Sequence, residues 1–145
     1  MDPSLPELYA FGYDKHLQHT INSLAVGWLD KGFKYNTGLV SEAFLDRLSL
    51  FCMDPVVMPF DLDGNCPLCL EYPIIDTPYG RLEFGPGELR IPGRDKTVYA
   101  APTMIYHFIK DHKYQPPQEF MDAVLNAPLP DTKEYEEFIL YWRKR

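Results

Sequence analysis

Proline constrains this chain more than any other residue: 14 prolines fall within 145 positions, about twice the usual share of roughly 5%. Each one fixes φ and removes a backbone donor, so long helices and long interior strands are excluded and every element must be short. The prolines crowd most between residues 55 and 78, where Pro55, Pro59, Pro67, Pro73 and Pro78 predict a long loop. Inside it lies Cys66-Pro67-Leu68-Cys69. Ordering a loop of this kind costs about 1–2 kcal/mol per residue, and this one has few side chains able to pack.

Outside the loop, short periodic segments can be read. Leu24-Ala25-Val26-Gly27-Trp28-Leu29, the turn Asp30-Lys31-Gly32 and Phe33-Lys34-Tyr35 predict a hairpin, with Trp28 buried against Phe44 or Leu48. Ser41 is an N-cap candidate with Glu42 behind it, and Phe44, Leu45, Leu48 and Phe51 give a helical stripe over 41–52. Arg81-Leu82-Glu83-Phe84, Glu88-Leu89-Arg90-Ile91 and Thr97-Val98-Tyr99 predict a second antiparallel set. Pro102 is placed as the first residue of a helix carrying Met104, Ile105, Phe108 and Ile109, with His107 near its end and His112 just past it. Pro116-Pro117 opens another helix with Phe120, Met121, Val124 and Leu125 on one face. Asp131 and Glu134 fit a capping box before a last helix bearing Tyr135, Phe138, Ile139 and Trp142. Residues 1–17 read as an irregular lead-in or a short helix. The fold expected is α+β: a small antiparallel sheet packed with about four helices, a helical C-terminal half and a Pro-rich central loop, in one domain over 1–145.

Charge and hydropathy narrow the classes of function. With 14 Lys and Arg against 21 Asp and Glu, the net charge is −7, which argues against nucleic acid as a partner and suits a basic protein. No apolar run approaches the roughly 18 residues of a membrane span, and no basic-then-apolar leader opens the chain, so a cytoplasmic protein is expected. Aromatics make up 14%, which predicts a core of large rings or an exposed adhesive face.

Chemistry is concentrated in the cysteines. There are three, Cys52, Cys66 and Cys69, and an odd number without a leader argues against a disulfide framework. The C-x-x-C spacing lets one turn bring both sulfurs to the same side of a cation. His107 and His112 are separated by four residues, within the spacing that structural zinc sites use. Cys66, Cys69, His107 and His112 are therefore the metal candidates, with zinc in a structural role as the implied cofactor. The interval between Cys69 and His107 matches no standard finger, and Cys52, His16 and His19 stand as alternatives. The pair also reads as two buried small hydrophobes, or as a redox motif if a helix followed a strand there, and His107 also reads as a core histidine. No catalytic set emerges: Asp61 and Asp63 sit in a turn-like Asp-x-Asp-Gly, Gly85-Pro86-Gly87 is too short to cradle a phosphate, and Asp111-His112 are mere neighbours.

Three blocks, in order, resemble an uncharacterised bacterial family of small proteins: Val26-Gly27-Trp28-Leu29-Asp30-Lys31-Gly32; Cys66 with Cys69; and Val98-Tyr99-Ala100-Ala101-Pro102 followed by His107, His112, Tyr114, Pro116, Pro117, Glu119 and Phe120. That pattern places a His two residues before the first Cys, where this chain has Gly64. The resemblance implies a fold and a bacterial origin but no reaction. Together these features lead to two expectations. One is an acidic binding protein, for instance an immunity protein that neutralises a basic toxin by electrostatic complementarity. The other is a metal-dependent or His-based enzyme acting on a small substrate, which would need an open metal position.

Overall fold

The computed structural model describes residues 22–32, 34–55, 65–83 and 87–143. The expectations placed on residues 1–17, on His16 and His19, on Asp61, Asp63 and Gly64, and on Gly85-Pro86 lie outside them, as does the side chain of Trp142. The element order is β1 (Asn22–Ala25), α1 (Glu42–Cys52), β2 (Ile74–Thr77), β3 (Gly80–Glu83), β4 (Glu88–Pro92), β5 (Thr97–Pro102), α2 (Ile105–His112), α3 (Gln118–Asn126) and α4 (Lys133–Arg143). This is an α+β fold with four helices among the described residues, three of them in the C-terminal half.

The main sheet has the order β1-β5-β4. The chain does not form the expected hairpin at 24–35: β1 runs parallel to β5, pairing Asn22 with Thr97 through Ala25 with Ala100. The residues just past β1 supply the reason. Val26 N–H donates to Ala100 O at 3.0 Å, and the Trp28 indole N–H donates to the same oxygen at 2.9 Å. Trp28 is thus buried by docking on β5. Gly27, at φ +75°, lets the chain pass there, because a Cβ would stand 2.9 Å from Ile105 Cδ1. β4 pairs antiparallel with β5, Glu88 opposite Pro102 and Pro92 opposite Val98. Its polar-apolar alternation does not make a half-exposed strand, since Glu88 and Arg90 are both wholly buried and form an ion pair at 3.2 Å. β2 and β3 form a separate antiparallel hairpin, so part of the predicted Pro-rich loop is strand.

Pro102 ends β5 rather than opening a helix, and Thr103 N–H continues the strand direction by donating to Gly87 O at 2.9 Å. Ser41 caps α1 as its sequence position suggests, its hydroxyl accepting from Phe44 N–H at 3.2 Å. The last helix is capped by Thr132, whose hydroxyl accepts from Tyr135 N–H, and Asp131 takes a left-handed turn at φ 72° instead of serving as the cap. Aromatic rings form the core: Phe44 and Tyr99 both stand edge-on to Phe120, and Phe51 is edge-on to Tyr135 at 5.4 Å. On α3, Phe120, Met121 and Val124 are buried, while Leu125 turns outward. Tyr72 and Tyr79, by contrast, are more than half exposed.

Candidate metal centre

The two halves of the candidate site come from different kinds of backbone. Cys66 and Cys69 lie on a tight turn held by its own main chain: Cys66 N–H donates to Glu71 O at 2.8 Å and Leu70 N–H donates to Cys66 O at 2.7 Å. Pro67 suits such a turn, and Leu70 completes it in the left-handed region at φ 65°. Leu68 N–H points at Cys66 Sγ, 3.3 Å away.

His107 and His112 lie on α2, a helix with Ile105, Tyr106, Phe108 and Ile109 buried. His107 sits in the first turn of α2 rather than near its end, and His112 is its last residue rather than one past it. Five positions turn an ideal helix by about 140°, so the two rings meet by the reach of their side chains and not by sharing one face. The helix stops at Lys113, which is left-handed at φ 61°, and Tyr114 N–H then reaches back to Phe108 O at 3.1 Å, closing the helix end. The segment at 35–38 clamps that end: Tyr35 O–H donates to His112 O at 3.0 Å, and Gly38 N–H donates to Lys113 O.

These elements bring Cys66 Sγ, Cys69 Sγ and one ring nitrogen each from His107 and His112 to within 4.8 Å of one another, close enough to hold a metal ion. Cys66 Sγ is 3.5 Å from His112 Nε2, Cys69 Sγ is 3.5 Å from His107 Nε2, and the two Nε2 atoms are 3.2 Å apart. Cys66 and His107 are buried, while Cys69 and His112 are half-buried. His107 Nδ1 faces Asp111 Oδ2 at 2.7 Å. Burial pushes the Cys66 thiol above its ordinary value, against the N–H groups of Cys69 and Leu68, which favour thiolate. Burial likewise pulls the His107 imidazolium down, opposed by the Asp111 carboxylate. A neutral imidazole is the form that binds a metal.

All four sequence candidates therefore converge. Cys52 does not join them: it is buried, and its Sγ lies 3.6 Å from Thr103 O. The redox setting is missing too, because the Cys turn leads into an extended segment and β2, with no helix starting at the motif. Sequence reasoning missed Asp111's partner. It considered His112, the neighbour, whereas the carboxylate meets His107 one turn back. The i, i+4 spacing was the available signal.

No curated protein and no solved structure matches the chain. A family model described as "Domain of unknown function (DUF7919)" matches residues 4–125. That stretch includes all four converging side chains, and the chain belongs to this family.

Proposed function

We propose that the protein is a binding domain stapled by a structural zinc ion, with Cys66, Cys69, His107 and His112 as its ligands. The observation that carries this reading is the set of donor separations. Zinc bonds of about 2.3 Å to sulfur and about 2.0–2.1 Å to nitrogen, at tetrahedral angles, give S···N edges of about 3.5 Å and N···N edges of about 3.3 Å. Three of the six separations here are 3.5, 3.5 and 3.2 Å, and all six lie within 4.8 Å. Two imidazole nitrogens and two sulfurs converging on one point make a poor hydrogen-bonding arrangement, whereas a cation satisfies all four. Bound zinc would supply cross-linking, tying the Cys turn to the end of α2.

Four protein donors fill a tetrahedral shell, and a catalytic zinc needs one position free. That favours a role played through the surface over the enzyme alternative. The net charge of −7 supports a basic protein as the partner. Asp131, Glu134, Glu136 and Glu137, all exposed around the start of α4, offer such a partner carboxylates. An immunity protein covering a basic toxin is one form of this role.

The test is elemental analysis of the purified full chain, followed by capture of partners from its own cells. One equivalent of zinc per chain is expected, lost in Cys66→Ser and in Cys69→Ser, with a captured partner released as salt rises. Protein free of zinc, with both thiols titrating as free, would overturn the staple. A partner whose binding ignores salt would overturn the electrostatic part.

A further inference from the structure

The two histidines of the cage are not held alike. His107 is buried, and its Nδ1 meets the Asp111 carboxylate at 2.7 Å. A carboxylate oxygen accepts, so Nδ1 carries the hydrogen and the Nε2 lone pair is left facing Cys69 Sγ and His112 Nε2. One contact thus sets both the tautomer and the ring plane of His107, with the carboxylate placed one helical turn away on the same face of α2. His112 is half-buried and is the last residue of that helix. Its Nδ1 has no hydrogen-bond partner among the described residues; only its Nε2 is engaged, with Cys66 and His107. Its ring also stands edge-on to Phe108 at 6.5 Å, a contact that limits the ring's tilt but selects no tautomer.

We infer that Asp111 is a positioning residue of the zinc site, and that it makes the two histidines unequal: His107 is the fixed ligand and His112 the exchangeable one. This rests on the zinc reading above. A carboxylate behind a metal-bound imidazole orients the ring and raises its basicity, and losing such a partner typically weakens metal binding about 10–100-fold. Asp111 is about half exposed, its side chain at 51%, so removing it leaves the packing of α2 in place and the effect falls on the metal.

The experiment uses the full chain and zinc alone as the probe. Zinc affinity is measured by chelator competition for the wild type, Asp111→Ala, Asp111→Asn and His112→Ala, and the imidazole nitrogens of the zinc-loaded proteins are followed by NMR. Asp111→Ala is expected to weaken zinc about 10–100-fold and to shift the His107 Nδ1 resonance while leaving that of His112 in place. Asp111→Asn, whose amide oxygen can still accept the Nδ1 hydrogen, should recover part of the affinity. His112→Ala should keep zinc through Cys66, Cys69 and His107, and added imidazole should restore the lost affinity. A wild type that binds no zinc overturns the staple itself. A wild type that binds zinc, with Asp111→Ala equal to it in affinity and in the His107 resonance, overturns the role of Asp111. Complete loss of zinc in His112→Ala, without rescue by imidazole, overturns the inequality of the two ligands.

Discussion

The cysteine half and the histidine half of the cage reach the same point by opposite means. The histidines ride on α2, whose buried face of Ile105, Tyr106, Phe108 and Ile109 is packed into the aromatic core. The cysteines ride on a turn of irregular chain that, among the described residues, adds Cys66 and the partly buried Leu68 and Cys69 to the core cluster. Leu70 and Tyr72 beside the turn are exposed. Packing thus presents half of the four-residue cluster on a rigid element. The other half is a loop whose conformational entropy, at about 1–2 kcal/mol per residue, has few apolar contacts to offset it. On the zinc reading proposed above, a bound ion would matter to the second half far more than to the first.

Removing the metal should separate the halves most sharply. Structural zinc sites in small peptides carry apparent binding energies of order 10–16 kcal/mol, and the part of that energy used to order the turn disappears on chelation. Hydrogen exchange of the full chain with and without chelator should then show the amides of Cys66 and Leu70 losing protection by at least about a hundredfold, the factor equivalent to about 2.7 kcal/mol. The amide of Phe108, bonded to Met104 O at 3.0 Å within α2, should change by less than about tenfold. Equal loss in both places would mean that the zinc holds the whole chain rather than the turn.

Packing substitutions should reverse the ranking. Phe108 is buried and lies behind both imidazoles, its ring centroid 6.4 Å from that of His107 and 6.5 Å from that of His112. Phe108→Ala should cost about 3–5 kcal/mol in denaturant unfolding of the zinc-loaded protein, and it should loosen zinc as a secondary effect. Leu68→Ala, on the cysteine turn, should cost about 1 kcal/mol, nearer the scale of a partly exposed site. A larger loss for Leu68→Ala than for Phe108→Ala would show that the turn is packed rather than pinned.

The cluster and the sheet differed in how far they could be read from sequence. The members of the cluster were legible because C-x-x-C and a four-residue His spacing are local patterns, and α1 and α3 were legible because their apolar stripes repeat at helical steps. The pairing of β1 was not, because its partner is a parallel strand more than 70 residues away (Ser23 opposite Val98). A local hairpin signal at Asp30-Lys31-Gly32 competed with it, and the Trp28 bond to Ala100 O that settles the outcome is a tertiary contact. Pro102 misled because proline suits a helix start and a strand end equally well; only the ladder opposite Glu88 decides. In β4, the alternation of charged and apolar residues hid a doubly buried strand, since Glu88 and Arg90 neutralise each other inside.

The smallest expected effect probes a feature the halves share. Each ends on a left-handed residue that is not glycine: Leu70 at φ 65° after the cysteines, Lys113 at φ 61° after the histidines. That conformation costs an L-residue about 1–2 kcal/mol, and glycine adopts it freely but gives back about 0.5–1 kcal/mol through its looser unfolded chain. Leu70→Gly and Lys113→Gly should therefore each stabilise by a few tenths to about 1 kcal/mol. Neither loses packing in the core, since both side chains are exposed. Where the gain appears is what distinguishes them. If the turn is ordered by zinc, relief at Leu70 is realised only when the metal binds, so Leu70→Gly should tighten zinc up to about fivefold and leave the metal-free protein unchanged. If α2 is ordered by packing, relief at Lys113 is realised whenever the chain folds, so Lys113→Gly should raise the unfolding midpoint equally with and without chelator. Should Leu70→Gly stabilise the metal-free protein as much as the loaded one, the turn would already be formed before the ion arrives, and the contrast between a packed half and a pinned half would fail.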